Sequence, residues 1–376
     1  MADCIVFWQR MLSPHMTELA RQLVLTGAEV HYVTEEDLST ERRAMGWEAG
    51  ELSGVAVHRI TTSQDVCSLV DHLPANAVHI TQGVRSNGLI AHAQKRISQR
   101  GLRQYPIMEK VDLRGLGGWI KPLLYRLRFW ILAWKIEGLL AIGESTPEWV
   151  ASISPTRLRA IPFAYFLKGP STHPRAREQG AFRFTFVGRL VGLKRVDLLL
   201  DALSGLRNYP FVLEIVGDGS TRAQLERQAH ALLPGRVVFR GSLRMDEAAD
   251  RIAAADCLVL TSAYDGWGVT VSEAQINGTP VVCSSACGAS ETVRASGFGA
   301  VFEAGNMDSL RQCLAAMLDN GRIDNANRKK LCEWATCLTA RAGARYLLGI
   351  IDSDDKGSSH IIPPWERMGM REEHSS

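Results

Sequence analysis

No uninterrupted apolar stretch in the 376 residues approaches the roughly 18 needed to cross a bilayer as a helix. In the most apolar segment the longest run, Phe129 to Trp134, has only six residues, so no spanning helix is expected. The opening MADCIVFWQR lacks a basic region followed by an apolar core, and no secretory signal is expected there. Metal and disulfide staples are missing as well. The eight cysteines include no C-x2-C pair, and the closest two, Cys283 and Cys287, have no second Cys/His pair beside them. Cys257 and Cys283 sit in apolar runs and read as buried thiols of a reducing compartment. Charge of one sign is scarce too: 43 Lys and Arg against 40 Asp and Glu leave +3, too little to argue for a nucleic-acid partner. No G-x-G-x-x-G follows the first apolar run, which disfavours a dinucleotide dehydrogenase.

What is present is ordinary globular composition, 46% hydrophobic and 22% charged, in a chain long enough for two domains. Short apolar runs alternate with amphipathic stretches, the pattern of α/β units with parallel sheets. CIVFW, EVHYVT, GVAVHRI, AVHIT, YPIMEK and GLLAIG read as strands of a first doubly wound domain over 1–165. KGPSTHPRAREQG is polar and turn-rich, placing a linker at 166–180. The rhythm restarts with FRFTFVG, FVLEIVG, RVVFRG, CLVLTS and TPVVCS, giving a second domain over 181–350. A polar tail then runs over 351–376, where Trp365 is a possible anchor. The D-x-D triplet Asp352 to Asp354 falls in that tail and reads as solvated acid, not as a metal site.

Two constellations in the second half carry chemistry. In FTFVGRLVGLKRVDLLL a strand ends at Gly188, and Arg189 and Lys194 follow in the loop before a helix. Two cations at the carboxyl edge of a parallel strand stand where open α/β sheets bind ligands, and a guanidinium with an ammonium suits a diphosphate. In CLVLTSAYDGWGVTVSEAQINGTPVV a strand leads to a loop with Asp265, Gly266, Trp267 and Gly268. A helix beginning near Val269 follows, with Glu273 in its first turn. The glycines permit close backbone approach, and the helix start offers free N–H groups to anionic oxygens. A solvated basic loop and an ordinary buried helix carboxylate are the plain alternatives.

Taken in order and spacing, VGRL with Arg189 and Lys194, IVGDG with Gly217, VVFRG, and DGWGVTVSEAQINGTPVV resemble the family 4 retaining glycosyltransferases, also grouped as glycosyl transferases group 1. The resemblance implies GT-B architecture, two Rossmann-like doubly wound domains facing across a cleft. It also implies a nucleotide-diphosphate-sugar donor, no obligatory metal ion and no other cofactor. By the same resemblance Arg189 and Lys194 hold the diphosphate and Glu273 binds the ribose hydroxyls. Asp265 and the backbone of Gly266 to Val269 contact the donor sugar, and Ser242 and Leu243 face the base. The family's first acidic residue is usually glutamate, and Asp265 is shorter by one methylene. The expected reaction moves a sugar to a glycan or lipid-linked glycan acceptor, in surface polysaccharide or glycolipid synthesis. A non-catalytic nucleotide-sugar-binding protein and a GT-B-type sugar-nucleotide epimerase are the alternatives.

The first half is expected to hold the acceptor. Where family members place a histidine, YPIMEKVDLRG supplies Glu109, a candidate proton acceptor, and Asp112. His79 in AVHITQG is the other candidate, with Gln9, Arg10 and His15 near the first strand's end. Between Gln94 and Lys135 stand ten Lys or Arg and only two acids, Glu109 and Asp112, interleaved after 113 with five aromatic residues. Residues 113–136 suit an anionic bilayer surface, and equally a core helix with solvated arginines. The expected location is the cytoplasm, at the inner face of the membrane if the first reading holds.

Overall fold

The computed structural model describes residues 4–37, 52–84, 88–114, 118–155, 157–170, 180–355 and 362–367. The chain forms two compact units, the first holding most of the residues up to 168 together with 339–364, the second holding 169–338 and the residues from Trp365 onward.

In the first unit the strands are β1 (Cys4–Met11), β2 (Glu29–Glu36), β3 (Val55–Arg59), β4 (Val78–Gln82), β5 (Arg103–Glu109), β6 (Leu139–Ile142) and β7 (Ala160–Phe163). They pair in parallel in the order β3-β2-β1-β4-β5-β6-β7. The second unit has β8 (Phe182–Val187), β9 (Phe211–Val216), β10 (Val237–Gly241), β11 (Cys257–Leu260), β12 (Val281–Ser284) and β13 (Gly299–Phe302). These too are all parallel, in the order β10-β9-β8-β11-β12-β13. Each strand order reverses once, beside β1 and beside β8, as expected for two doubly wound domains of GT-B type. The central strands are continuous apolar runs because helices cover both faces: Cys4 to Gln9 of β1 and all of β11 and β12 are buried.

The domain limits differ from the sequence reading at the C-terminal end. Residues 340–350, expected in the second domain, and 351–355, expected in the tail, form one helix, Ala340–Asp355, that belongs to the first unit. It packs on the helix Pro14–Val24, and Tyr346 stacks on Phe163 at 6.0 Å while its hydroxyl donates to the Pro162 carbonyl at 2.8 Å. The acidic triplet is therefore at the end of a helix and not in a tail. Trp365 is buried in the second unit, its ring 6.0 Å from that of Trp267. Most of the linker reading, 171–179, lies outside the described residues.

The carboxyl ends of β8, β9 and β10 are stitched edge to edge. Gly188 N donates to Val216 O at 3.0 Å, Leu190 N to Asp218 O at 2.8 Å, and Gly217 N to Gly241 O at 2.8 Å. Gly217 has φ +132°, and a Cβ there would overlap the Gly188 carbonyl oxygen. Gly217→Ala is expected to cost about 2–3 kcal/mol in urea unfolding, whereas Gly192→Ala, with open space around its Cβ position, stays within about 0.5 kcal/mol.

Candidate functional site

The second sheet reverses between β8 and β11, so the loops following those two strands run out in opposite directions and leave a crevice at the carboxyl edge. The loop after β8 carries Arg189 and, in a single helical turn Gly192–Lys194, Lys194. The loop after β11 carries Asp265. The two blocks meet: Lys194 Nζ donates to Asp265 Oδ2 at 2.5 Å, between residues 71 apart in sequence, with both side chains mostly buried. Ser262 Oγ lies 3.4 Å from the same oxygen, and Oδ1 has no hydrogen-bond partner among the described residues.

Several local features hold that pair. The Thr261 hydroxyl reaches both the Lys194 and Arg195 carbonyl oxygens at 2.9 Å, and Ala263 N donates to Leu193 O at 2.9 Å. Arg195, at φ +49°, is the one non-glycine residue with positive φ among the described residues. This left-handed turn ends the short helical turn and starts the helix Val196–Ser204. On the other side Asp265 N donates to Ala286 O at 3.1 Å and Gly288 N to Asp265 O at 2.9 Å, tying the loop to the end of β12. Thr261, Ser262 and Arg195 went unnoticed in the sequence. The only signal was the pair of hydroxyl residues closing CLVLTS.

The helix after Asp265 spans Val269–Ile276, and its N-cap is Gly268 at φ +86°. A Cβ on Gly268 would come within 2.5 Å of Cys287 Sγ and 3.0 Å of Leu260, so only glycine brings the loop this close. No side chain caps this N-terminus, so its first N–H groups have no side-chain acceptor there. Trp267, expected to contact donor, has its side chain in the core. Its indole Nε1 donates to Ser272 Oγ at 3.0 Å and only 1% of the residue is exposed. Glu273 falls in the second helical turn, not the first. Ser242 is exposed just beyond β10, Leu243 beside it half-buried, and Gly217 serves the strand-end packing described above.

In the first unit Glu109 ends β5, half-buried, at the carboxyl edge. Asp112 is engaged by Arg114 through two side-chain bonds, Nε–Oδ1 at 2.8 Å and Nη2–Oδ2 at 2.7 Å, and this guanidinium holds its carboxyl down at about 2. His79 does not end a strand. It is the second residue of β4, fully buried, and accepts a hydrogen bond at Nδ1 from Trp8 Nε1 at 3.1 Å. Burial lowers it to about 3, so it is a neutral core histidine and not an acceptor-side residue. Gln9 is likewise buried, and Arg10 pairs with Glu36 at 2.7 Å.

Among the described residues one group, Cys4, Glu29 and His31, brings possible metal-ligand atoms within 4.8 Å of one another. It sits toward the opposite, amino-terminal ends of β1 and β2, and burial with the Glu29 charge raises the Cys4 thiol to about 11. No such group is found at the crevice beside β8 and β11 among the described residues.

Glu273 has no side-chain hydrogen bond or ion pair among the described residues, and burial raises its carboxyl to about 7. Unfolded, the carboxyl titrates near 4.5, so between these values the folded chain holds a proton that the unfolded chain has lost. Raising the pH through that window withdraws stability, and the loss is complete above it. Glu273→Gln, always neutral, is expected to melt with the parent near pH 4 and above it near about pH 8. Coincident melting curves at the higher pH would refute the uncompensated carboxylate.

The sequence model of the family glycosyl transferases group 1 matches residues 173–333. Over 203 residues the chain is 27% identical to a D-inositol 3-phosphate glycosyltransferase 1 of Catenulispora acidiphila, covering 50% of this chain and 48% of that one. Over 111 residues it is 35% identical to an uncharacterized glycosyltransferase, MJ1607, of Methanocaldococcus jannaschii, covering 29% and 28%. The chain thus spans between about a quarter and a half of the length of these relatives. Among solved structures it is similar to the lipopolysaccharide outer core galactosyltransferase WaaB in its apo form, with a TM-score of 0.68, 16% identity, and coverage of 93% of this chain and 99% of that one. Anabaena Alr3699/HepE in complex with UDP gives a TM-score of 0.72 at 15% identity, covering 94% and 100%. At such identities the fold is what is shared. Residues 173–333 are therefore a glycosyl transferases group 1 domain, carried in a chain whose two parallel sheets have the GT-B fold.

Proposed function

We propose that the protein is a retaining glycosyltransferase that moves a sugar from a nucleotide-diphosphate donor to a glycan or lipid-linked glycan. The observation that carries this reading is the Lys194–Asp265 pair at the crevice beside β8 and β11. Breaking a glycosyl–phosphate bond builds negative charge on the departing diphosphate and positive charge on the sugar. Lys194 has three N–H donors and spends one on Asp265, leaving two for phosphate oxygens. Arg189, exposed in the same loop, supplies a second cation. The uncapped helix start at Gly268 adds backbone N–H groups.

These fixed charges stabilise a leaving group without a metal ion, and the reaction is proposed to need none. Asp265 has two tasks. Its Oδ2 aims the ammonium, and its Oδ1 is left to accept a hydrogen bond from a sugar hydroxyl. The missing methylene relative to glutamate is thereby tied to the lysine contact. Glu273 is proposed to accept both ribose hydroxyls, and Ser242 and Leu243 to face the base. The first unit is assigned the acceptor, with Glu109 as the carboxylate nearest in role to a proton acceptor.

Two donated hydroxyls favour the charged carboxylate, so donor binding is expected to pull Glu273 down from about 7 and release a proton near neutral pH. Calorimetry in buffers of different ionisation enthalpy reads that proton, and Glu273→Gln is expected to abolish it.

The reading is tested first by thermal shift with UDP-, GDP- and ADP-sugars in EDTA, where one donor is expected to raise the melting temperature. Arg189→Ala is then expected to lower transfer by about 10²-fold with unchanged melting. Lys194→Ala should lower transfer similarly but also melt earlier, because it strips the mostly buried Asp265 of its partner. Transfer at parental rates in both variants would remove these cations from the mechanism, and an inverted product anomer would remove retention.

A further inference from the structure

The helix Ile120–Leu132 leaves the carboxyl end of β5 and is apolar on both sides. Its inner face is accounted for: Phe129 is fully buried, and Tyr125 and Phe129 pack their rings against Trp149 at 5.5 and 5.9 Å. The outer face carries what a second buried face would carry. Trp119 is 79% exposed, Leu123 68%, Leu127 63% and Trp134 69%, with Trp130 and Ile131 exposed beside them. A water-facing helix ordinarily presents polar side chains there, and a contiguous exposed apolar stripe of this kind marks an interaction surface.

Charge identifies the partner. From Gly118 to Lys135 there are four cations, Lys121, Arg126, Arg128 and Lys135, and no Asp or Glu. Lys121 Nζ and Arg128 Nε donate to backbone carbonyl oxygens, of Asp112 and Val84, both at 2.7 Å, so these bonds position the cations without neutralising them. The Arg157 guanidinium stacks 4.2 Å over the Trp134 ring and adds a fifth cation. Between this helix and the helix Gly88–Gln99 lies a cavity of about 430 Å³. His92, Lys95, Arg128 and Lys135 line it together with Ile131 and Leu132, and no carboxylate does. A second copy of the chain is a poor occupant, because a two-fold contact would set this predominantly cationic face against itself.

We propose that residues 118–135 dock the protein on an anionic bilayer. Trp119, Leu123, Leu127, Trp130 and Trp134 enter the headgroup–acyl boundary, and the adjoining cavity receives a lipid phosphate. Tryptophan and leucine edged by Lys and Arg match that interface, where the rings meet the acyl boundary and the cations meet phosphate. No described helix is long and apolar enough to cross the membrane, so the contact is peripheral. Docking goes beyond the transfer reading and stands without it, since a lipid surface is recognised whether or not sugar is moved.

The test is flotation of the full chain with vesicles of phosphatidylcholine alone and of phosphatidylcholine containing one-third phosphatidylglycerol, with no donor present. Binding is expected to be at least about tenfold tighter to the anionic vesicles and to weaken with salt. Leu123→Gln with Leu127→Gln removes two exposed apolar groups and should lower binding by about tenfold or more without earlier melting. Lys95→Gln and Lys135→Gln are each expected to cost about fivefold on anionic vesicles only. Equal binding to both compositions, or parental binding by the leucine variant, would overturn the proposal. So would a parent that is dimeric by light scattering and a leucine variant that is monomeric. Transfer to a soluble acceptor without vesicles is measured in parallel, which keeps a failure of docking separate from a failure of the transfer reading.

Discussion

Everything assigned to the second unit rests on one ion pair across the reversal of a parallel sheet. Doubly wound sheets leave a crevice where successive crossovers part, because the loops on either side belong to halves of the sheet that grow in opposite directions. Here the halves are refastened by Lys194 and Asp265. The pair is mostly buried, so either side chain alone would be an uncompensated charge. Its geometry is in turn set by backbone. Arg195 adopts the left-handed turn that ends one loop, Thr261 ties that loop to β11, and Gly268 lets the second loop pass against Cys287. Gly217 at the β9 end lets the backbone pass against the Gly188 carbonyl at the β8 end.

Surroundings give chemically similar carboxyls different characters. Asp112, clasped by Arg114, is held down at about 2 and is spoken for. Glu273, half-buried with no side-chain partner among the described residues, is raised to about 7 by burial. Asp265 has one oxygen committed to Lys194, while its Oδ1 has no hydrogen-bond partner among the described residues. Chemically similar acids are set apart in this way by desolvation and by the partners each one finds. The same contrast explains His79, whose ring serves Trp8 in the core.

The first unit shows a comparable division across a single helix. Tyr125, Phe129 and Leu132 hold Ile120–Leu132 to the sheet, while the opposite stripe is as apolar as the buried one. Sequence periodicity alone registers only that the segment is hydrophobic and basic, and so left both a core helix and a bilayer surface open. Exposure separates the two roles. Phe129 and Leu132 are core, while most of the segment faces outward, and no carboxylate on the same helix neutralises its cations.

Strand–helix alternation, the restart of the pattern after the polar 168–180 stretch, and the order of VGRL, VVFRG and DGWGVTVSEAQINGTPVV were legible in the chain itself. They depend on short-range periodicity and turn chemistry, which survive without knowledge of what packs where. Arg189, Lys194 and Asp265 could be named for the same reason, as polar residues just past strand ends. Contact between residues distant in sequence could not be read. Nothing in the spacing announces that Lys194 and Asp265, 71 residues apart, share a hydrogen bond. Nor does it tell that Trp267 turns inward to Ser272, that His79 sits inside β4, or that the helix Ala340–Asp355 joins the first unit. Those outcomes follow from which surfaces find apolar partners and which polar atoms find hydrogen-bond partners once the sheets are assembled. Burial and partnering exist only in the tertiary structure, and they decide which of the residues visible in the sequence can act.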